Sequence, residues 1–268
     1  MGSDLLRTAR NAFIALSIFA FCAGASFSAK ALTINTSFDF GNAPAGSIFG
    51  GGGFVDVFNT AAGIWENTLL DSNRSESISF GWGNLGGNTL AVANVGTSNR
   101  ITFDNDGSSN WFLDSSPFDN FEWSNFSESS ADLGGGTINT GRVFTGPSGA
   151  ASDRADLLTV ALHEIGHVLG LLGGLQDPLE IQAPLPFAGT ELDLNGGHLN
   201  LANSVMFNSI TLGQRRLLST ADILGVAQAG GYNLVNLDPS PVPVPGALLL
   251  MGSGLVGLLR YRRRASTA

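Results

Sequence analysis

Thiols, lysines and histidines are nearly missing from this chain of 268 residues. The single cysteine is Cys22, inside an N-terminal apolar stretch, so the remainder has neither a disulfide nor a thiol nucleophile. Lys30 is the only lysine. From residue 32 to 242 the basic side chains are six arginines against 21 acids, a formal charge of −15. A surface of that sign argues against a nucleic-acid partner, because phosphate binding needs basic groups. Long apolar runs are confined to the two ends, and histidine occurs three times, at 163, 167 and 198. What is abundant is apolar residues, at 43%, enough to build a core, and 36 glycines, about twice the usual usage of ~7%. The glycine runs read as turns and surface loops.

The two ends differ from the middle. Arg7 and Arg10 precede the apolar, small-residue stretch Ala12 to Ala25, and Ala29-Lys30-Ala31 forms an A-x-A-like exit, the pattern of a secretory signal peptide over residues 1–31 with maturation near Leu32. Residues 239–268 begin with a Pro-rich spacer (Pro239, Pro241, Pro243, Pro245), continue through apolar Gly246 to Leu259 and close on Arg260, Arg262, Arg263 and Arg264. This tripartite tail resembles the PEP-CTERM sorting tails of Gram-negative bacteria, with Pro243-Val244-Pro245 where the family has Pro-Glu-Pro. The resemblance implies an exosortase-like processing enzyme and the inner membrane as partners, a transmembrane sorting helix, and final placement at the cell surface or in the extracellular matrix. The arginines favour the cytoplasmic face, which puts the rest outside.

Between these ends, residues 32–238 are expected to form one α+β domain, a small mixed sheet packed on helices. Apolar residues recur at three and four positions from Phe54 through Trp65 to Leu69, an amphipathic helix. Short β-rich stretches follow at Ser77 to Gly81, Thr89 to Val95 and Asn99 to Phe103. The stretch from Asp104 to Gly149 reads as loop, with aromatic side chains anchoring it and another strand at Ile138 to Phe144. Asp104-Asp106-Gly107 and Asp193-Asn195-Gly196 resemble fragments of calcium loops, which makes calcium the second candidate cofactor. A helix capped by Asp153, with Asp156 in its first turn, runs through Leu157, Val160 and Ile165 to Gly170. A last helix starts at the capping box Ser219-Thr220-Ala221-Asp222 and stops at Gly230-Gly231.

The chemistry sits inside the Gly170 helix. His163-Glu164-Ile165-Gly166-His167 places two imidazoles four residues apart, on one face and about 6 Å apart along the axis, where both approach one zinc ion at about 2 Å. Glu164 lies beside them as general base for a zinc-activated water that attacks a peptide carbonyl. Catalytic zinc sites generally use three protein ligands. His198 is the remaining histidine, and Asp177, Glu180, Glu191 and Asp193 are the competing oxygen donors.

The run from His163 to Leu171, HEIGHVLGL, resembles the zinc-binding helix of metzincin proteases, most closely the matrixin branch, with Gly170 as the glycine that ends that helix. The family's third histidine stands three residues beyond this glycine, where the chain has Gly173. His198, however, precedes Met206 by the family's eight-residue interval, so the resemblance implies an insertion near 173–197, His198 as third ligand and Met206 as the Met-turn floor beneath the metal. The stretch from Leu218 to Tyr232 resembles the C-terminal matrixin helix. Tyr232 reads as a packing residue, with oxyanion stabilisation the other role open to it. The expected function is an exported zinc metalloendopeptidase acting on protein or peptide substrates. The alternative is a biofilm-matrix or adhesive surface protein whose zinc site is vestigial.

Overall fold

The computed structural model describes residues 32–238. It is a mixed α+β fold in which several sheets pack against three α-helices. The expected signal segment 1–31 and the expected sorting tail 239–268 lie outside the described residues. The expectation of a transmembrane element is corrected: among the described residues no helix is long and apolar enough to cross a membrane. The longest, Phe54–Thr68, has 15 residues where a span needs about 20.

The principal sheet is built from β1 (Thr33–Phe40), β3 (Ser75–Gly83), β4 (Ala91–Asn94) and β5 (Asn99–Asp104), in the order β1-β3-β5-β4. Strands β1, β3 and β5 are mutually parallel, and β4 closes one edge antiparallel to β5, with Ala93 opposite Ile101. Between β1 and β3 the chain adds β2 (Ile48–Phe49) and helix α1 (Phe54–Thr68). The three- and four-residue spacing in α1 buries Val57, Phe58, Ala61, Ala62, Ile64 and Trp65. Phe58 stacks on Phe80 of β3 with ring centroids 3.8 Å apart. Trp65 faces the other way, and its indole N–H donates to Leu162 O at 2.9 Å, tying α1 to the helix that carries the histidines. Truncating such a buried tryptophan costs on the order of 3–5 kcal/mol.

A second layer replaces the loop expected after Asp104. The short strands β6 (Trp111–Phe112) and β9 (Ala155–Asp156) pair in parallel, β6 lying between β2 and β9, and β7 (Trp123–Asp132) and β8 (Thr137–Pro147) form a long antiparallel hairpin. The strand expected at Ile138 to Phe144 lies within β8, whereas β7 has no counterpart in the sequence pattern. Nearly all of its side chains are exposed, so it carries no apolar alternation to mark it. Of the aromatic side chains in this stretch, Trp111, Phe112 and Trp123 are buried, while Phe118, Phe121 and Phe126 are exposed.

The helix with the motif, α2, spans Leu157–Val168. Its cap is Asp156 and not Asp153. The Asp156 carboxylate accepts from Thr159 N at 3.1 Å and Thr159 Oγ1 at 2.7 Å, whereas Asp153 sits in the preceding turn at φ +55°. Asp156 is held in turn by the fully buried Arg215, which also pairs with Asp114 at 2.8 Å. Arg215 belongs to β14 (Arg215–Leu217), which pairs with β8. The last helix, α3 (Thr220–Gly230), carries the expected capping box at Ser219 and Asp222 and ends on Gly231 at φ +67°.

The stretch between α2 and Met206 has a core of its own. Strands β10 (Leu179–Glu180) and β11 (Glu191–Leu192) pair, as do β12 (Leu194–Asn195) and β13 (His198–Leu199). Ile181, Leu192 and Leu199 join the main hydrophobic cluster. Glu191 N donates to Leu133 O at 2.7 Å, docking this stretch on the turn of the β7–β8 hairpin. Gly135 in that turn is needed: a Cβ there would stand 2.8 Å from Thr190 N and nearer still to Phe187 O.

Candidate metal centre

Helix α2 delivers His163 and His167 one turn apart, and the β12–β13 hairpin returns the chain so that His198 faces them. Ligating atoms of the three imidazoles all lie within 4.8 Å of one another. Among the described residues they are the one group of three or more His, Cys, Asp and Glu side chains close enough to share a metal ion. His198 reaches this place because Asn195 pairs with His198 across a two-residue turn whose first member, Gly196, sits at φ +65°.

The hydrogen bonds decide which nitrogens are free. His163 Nδ1 lies 2.8 Å from Val205 O, and His167 Nδ1 lies 2.7 Å from Leu171 O. A carbonyl only accepts, so both Nδ1 atoms carry hydrogen and both Nε2 atoms present lone pairs. Those two Nε2 atoms face each other at 3.0 Å. Two lone pairs at that distance repel unless a cation lies between them. A tetrahedral ion with Zn–N bonds of about 2.0–2.1 Å would separate its ligand nitrogens by about 3.3–3.4 Å, close to what is seen. An N–H bonded to a carbonyl behind each ligand is the usual way a ligating imidazole is oriented. Three imidazoles with no thiolate suit the divalent ions that imidazole binds, zinc, copper, iron and nickel among them.

Burial keeps the imidazoles neutral. It pulls His163 down to about 3, with the charge of neighbouring His167 adding to the fall, and it lowers His167 and His198 as well. Glu164 is buried on the same helix, and desolvation pushes its carboxyl up to about 8, opposed only in part by the Ala93 backbone N–H. A cleft of about 670 Å³ opens over these groups. On one side it is bounded by residues 88–93, including the edge strand β4, and on the other by 207–210.

Met206 is fully buried and packs against α2 at Gly166. A Cβ on Gly166, midway between Glu164 and Val168, would stand 3.0 Å from Met206 Cε and 3.4 Å from Trp65 Cζ2, so this helix position must be glycine. Gly170, at φ +131°, has the same constraint from Gly230 of α3, 2.5 Å from a Cβ placed there. The turn at Gly170 aims Leu171 O at His167.

One buried carboxylate holds Met206 to α3. Asp222 accepts from Met206 N at 2.9 Å, Val205 N at 3.3 Å, Ser219 N at 2.8 Å and Ser219 Oγ at 2.6 Å, and from the Ser204 hydroxyl. The capping-box pattern locates Asp222 as the start of a helix. Nothing in the sequence marks its second role, which exists only because the chain turns back on itself at Met206.

The other donors are engaged elsewhere. Asp177 Oδ1 accepts from Leu194 N at 2.9 Å at the base of the His198 hairpin, and Glu180, Glu191 and Asp193 are exposed and outside the histidine group. In the loop Asp104-Asp106-Gly107, Asp104 accepts from Leu85 N and Asp106 N, and Asp106 accepts from Ser108 N, so both carboxylates are engaged with backbone. Tyr232 is buried beneath the Arg74 guanidinium, 4.0 Å from its ring centroid, and burial raises its phenol to about 12. It does not line the cleft.

No protein-family model matches the chain, and no curated protein matches it either. What the centre does therefore rests on its own geometry.

Proposed function

We propose that the protein is a zinc-dependent endopeptidase in which His163, His167 and His198 hold the metal and Glu164 is the general base. The observation that carries this reading is the pair of Nε2 lone pairs at 3.0 Å, with a third imidazole facing them and a buried carboxylate beside them, at the bottom of an open cleft. Zinc, when bound there, polarises a substrate carbonyl and acidifies water. Glu164 takes a proton from the attacking water as the new C–O bond forms, and it delivers that proton to the amide nitrogen as the C–N bond breaks. Three neutral ligands leave the ion its full positive charge, which favours the ionised form of Glu164 that this role needs.

Peptide rather than another acyl substrate is supported by β4. It is the outer strand of its sheet and lines the cleft, so its free edge can pair with an extended backbone and lay a scissile bond across the histidines. The HEIGHVLGL resemblance to matrixins and the eight-residue interval from His198 to Met206 support the same reading, with Met206 as floor. The charge of −15 and the sequence of the two ends support export from a Gram-negative cell, maturation near Leu32 and handling of the tail by an exosortase-like enzyme.

The test is Glu164→Gln. The variant is expected to bind zinc as the parent does, with peptidase kcat/KM lower by about 10²–10⁴-fold. Peptide cleavage by the variant within a few-fold of the parent would sink the mechanism.

A further inference from the structure

The wall of the cleft opposite β4 has no regular secondary structure to stiffen it. Residues 204–210 form a bow between Met206 and the approach to β14, and Phe207, Asn208, Ser209 and Ile210 line the cleft. The backbone polar groups at its start are all engaged. Ser204 N donates to Leu201 O, Val205 N and Met206 N to Asp222, and Leu199 N to Met206 O, while Val205 O faces His163. Two carbonyls of the bow share one side chain: Arg216 Nη1 donates to Ser204 O at 3.1 Å, which also accepts from Phe207 N at 3.4 Å, and to Ser209 O at 2.9 Å.

Arg216 is 4% exposed, a costly place for a cation. It is fixed from behind as well, since its backbone N donates to Thr159 Oγ1 at 2.9 Å in the first turn of α2. Its guanidinium also lies over the Phe207 ring, 6.0 Å from the centroid. The bow is thus held between opposite charges, with its N–H groups turned to the Asp222 carboxylate and its end carbonyls to the Arg216 guanidinium. Asp222 acts on the floor at 205–206, and Arg216 spans the wall to Ser209.

We infer that Arg216 is the positioning residue of the cleft wall 207–210, and that by tying Ser204 O to Ser209 O it sets which substrate side chains the cleft accepts. The selectivity half rests on the peptidase reading. The clamp itself does not. A wall whose two ends are pinned to one nitrogen cannot widen without breaking a buried charge-assisted hydrogen bond, and displacement of about 1 Å in a positioning group costs on the order of 10²-fold in rate.

The experiment compares the parent with Arg216→Met, which keeps the stem and removes both bonds. Arg216→Leu, equally without donors, serves where the Met variant does not fold. Amide hydrogen exchange over 205–210 is read on the zinc-loaded proteins. kcat/KM is measured for peptides that differ only in the residue after the scissile bond, Ala, Leu or Trp. The expected result is faster exchange confined to this segment and a change of at least about tenfold in the Leu-to-Trp ratio. Arg216→Ala with added methylguanidinium should recover both. Parental exchange in the Met or Leu variant overturns the clamp, and a Leu-to-Trp ratio within about twofold of the parent overturns its role in selectivity. A parent that cleaves no peptide at all sinks the peptidase reading instead, and the clamp is then judged on the exchange data alone.

Discussion

Helix α2 and the β12–β13 hairpin bring imidazoles to one candidate metal centre by different means. In α2 the two imidazoles meet because residues four apart share a face, a consequence of the helix itself. His198 arrives from a separate hairpin, set in place by Leu192 and Leu199 in the core, by the Asp177 bond to Leu194 N and by the turn 133–136 packed against 187–190. The first arrangement survives changes elsewhere so long as the helix forms. The second depends on every contact that fixes where the hairpin lies.

The largest effect expected from this contrast is loss of a ligand. His198→Ala should weaken zinc binding by more than about a hundredfold, beyond the roughly 10–100-fold typical of residues behind the ligands, and His163→Ala at least as much. Asp177→Ala should cost clearly less, on the order of tenfold, because it removes one support of the hairpin and no member of the histidine group. Chelator competition on the purified variants decides it. Equal losses for His198→Ala and Asp177→Ala would make the hairpin a scaffold for an oxygen ligand and not for His198.

A smaller effect probes the helix alone. In metal-free protein Glu164 titrates at about 8 when folded and near its ordinary 4.5 when unfolded. Below pH 4.5 it is neutral in both states. Between 4.5 and 8 the unfolded chain releases the proton that the folded chain keeps, so the parent loses stability as pH rises through that window. Glu164→Gln escapes this loss. Its advantage over the parent should be near zero at about pH 4 and grow to a few kcal/mol by about pH 8, rising by about 1.4 kcal/mol for each pH unit crossed. His163, whose pKa is displaced downward, destabilises both proteins alike as pH falls below 6.5, so the difference between them isolates Glu164. Urea midpoints against pH would show it, and an advantage that shrinks toward the alkaline end of the window would contradict it.

The smallest expected effect tests the link between the two regions. Asp222→Asn puts an amide where the carboxylate accepts from Ser219, Val205 and Met206, and so loosens the carbonyl behind His163. Zinc affinity should fall by about 10–100-fold with both ligand-bearing segments intact. Parental affinity would mean that Val205 O holds His163 without help from α3.

Legibility follows the range of the forces. Helix α1, strands β3 to β5, α2 and the Ser219 capping box are all visible in the sequence, because period and capping are local. The hairpin strand β7 is not, since Ser124 through Ser130 are exposed or nearly so and the strand exists by pairing with β8. Local pattern makes Asp153 the cap of α2 and Asp156 a first-turn acid. Choosing between them needs Arg215, 59 residues further along, which holds the Asp156 carboxylate in place.

From the amino-acid sequence alone come the helix with its two histidines and Glu164, the absence of a thiol outside the N-terminal stretch, and the mixed α+β class. These follow from neighbours along the chain, where geometry is set by backbone periodicity. Tertiary structure alone decides that His198 and not an acid stands beside His163 and His167. It also decides that Asp222 and Arg216 both bond the backbone around Met206, and that the edge strand β4 lines the cleft with the histidines. Each of these joins residues far apart in the chain, and their meeting is fixed by which apolar faces can be buried together, a property that no local pattern contains.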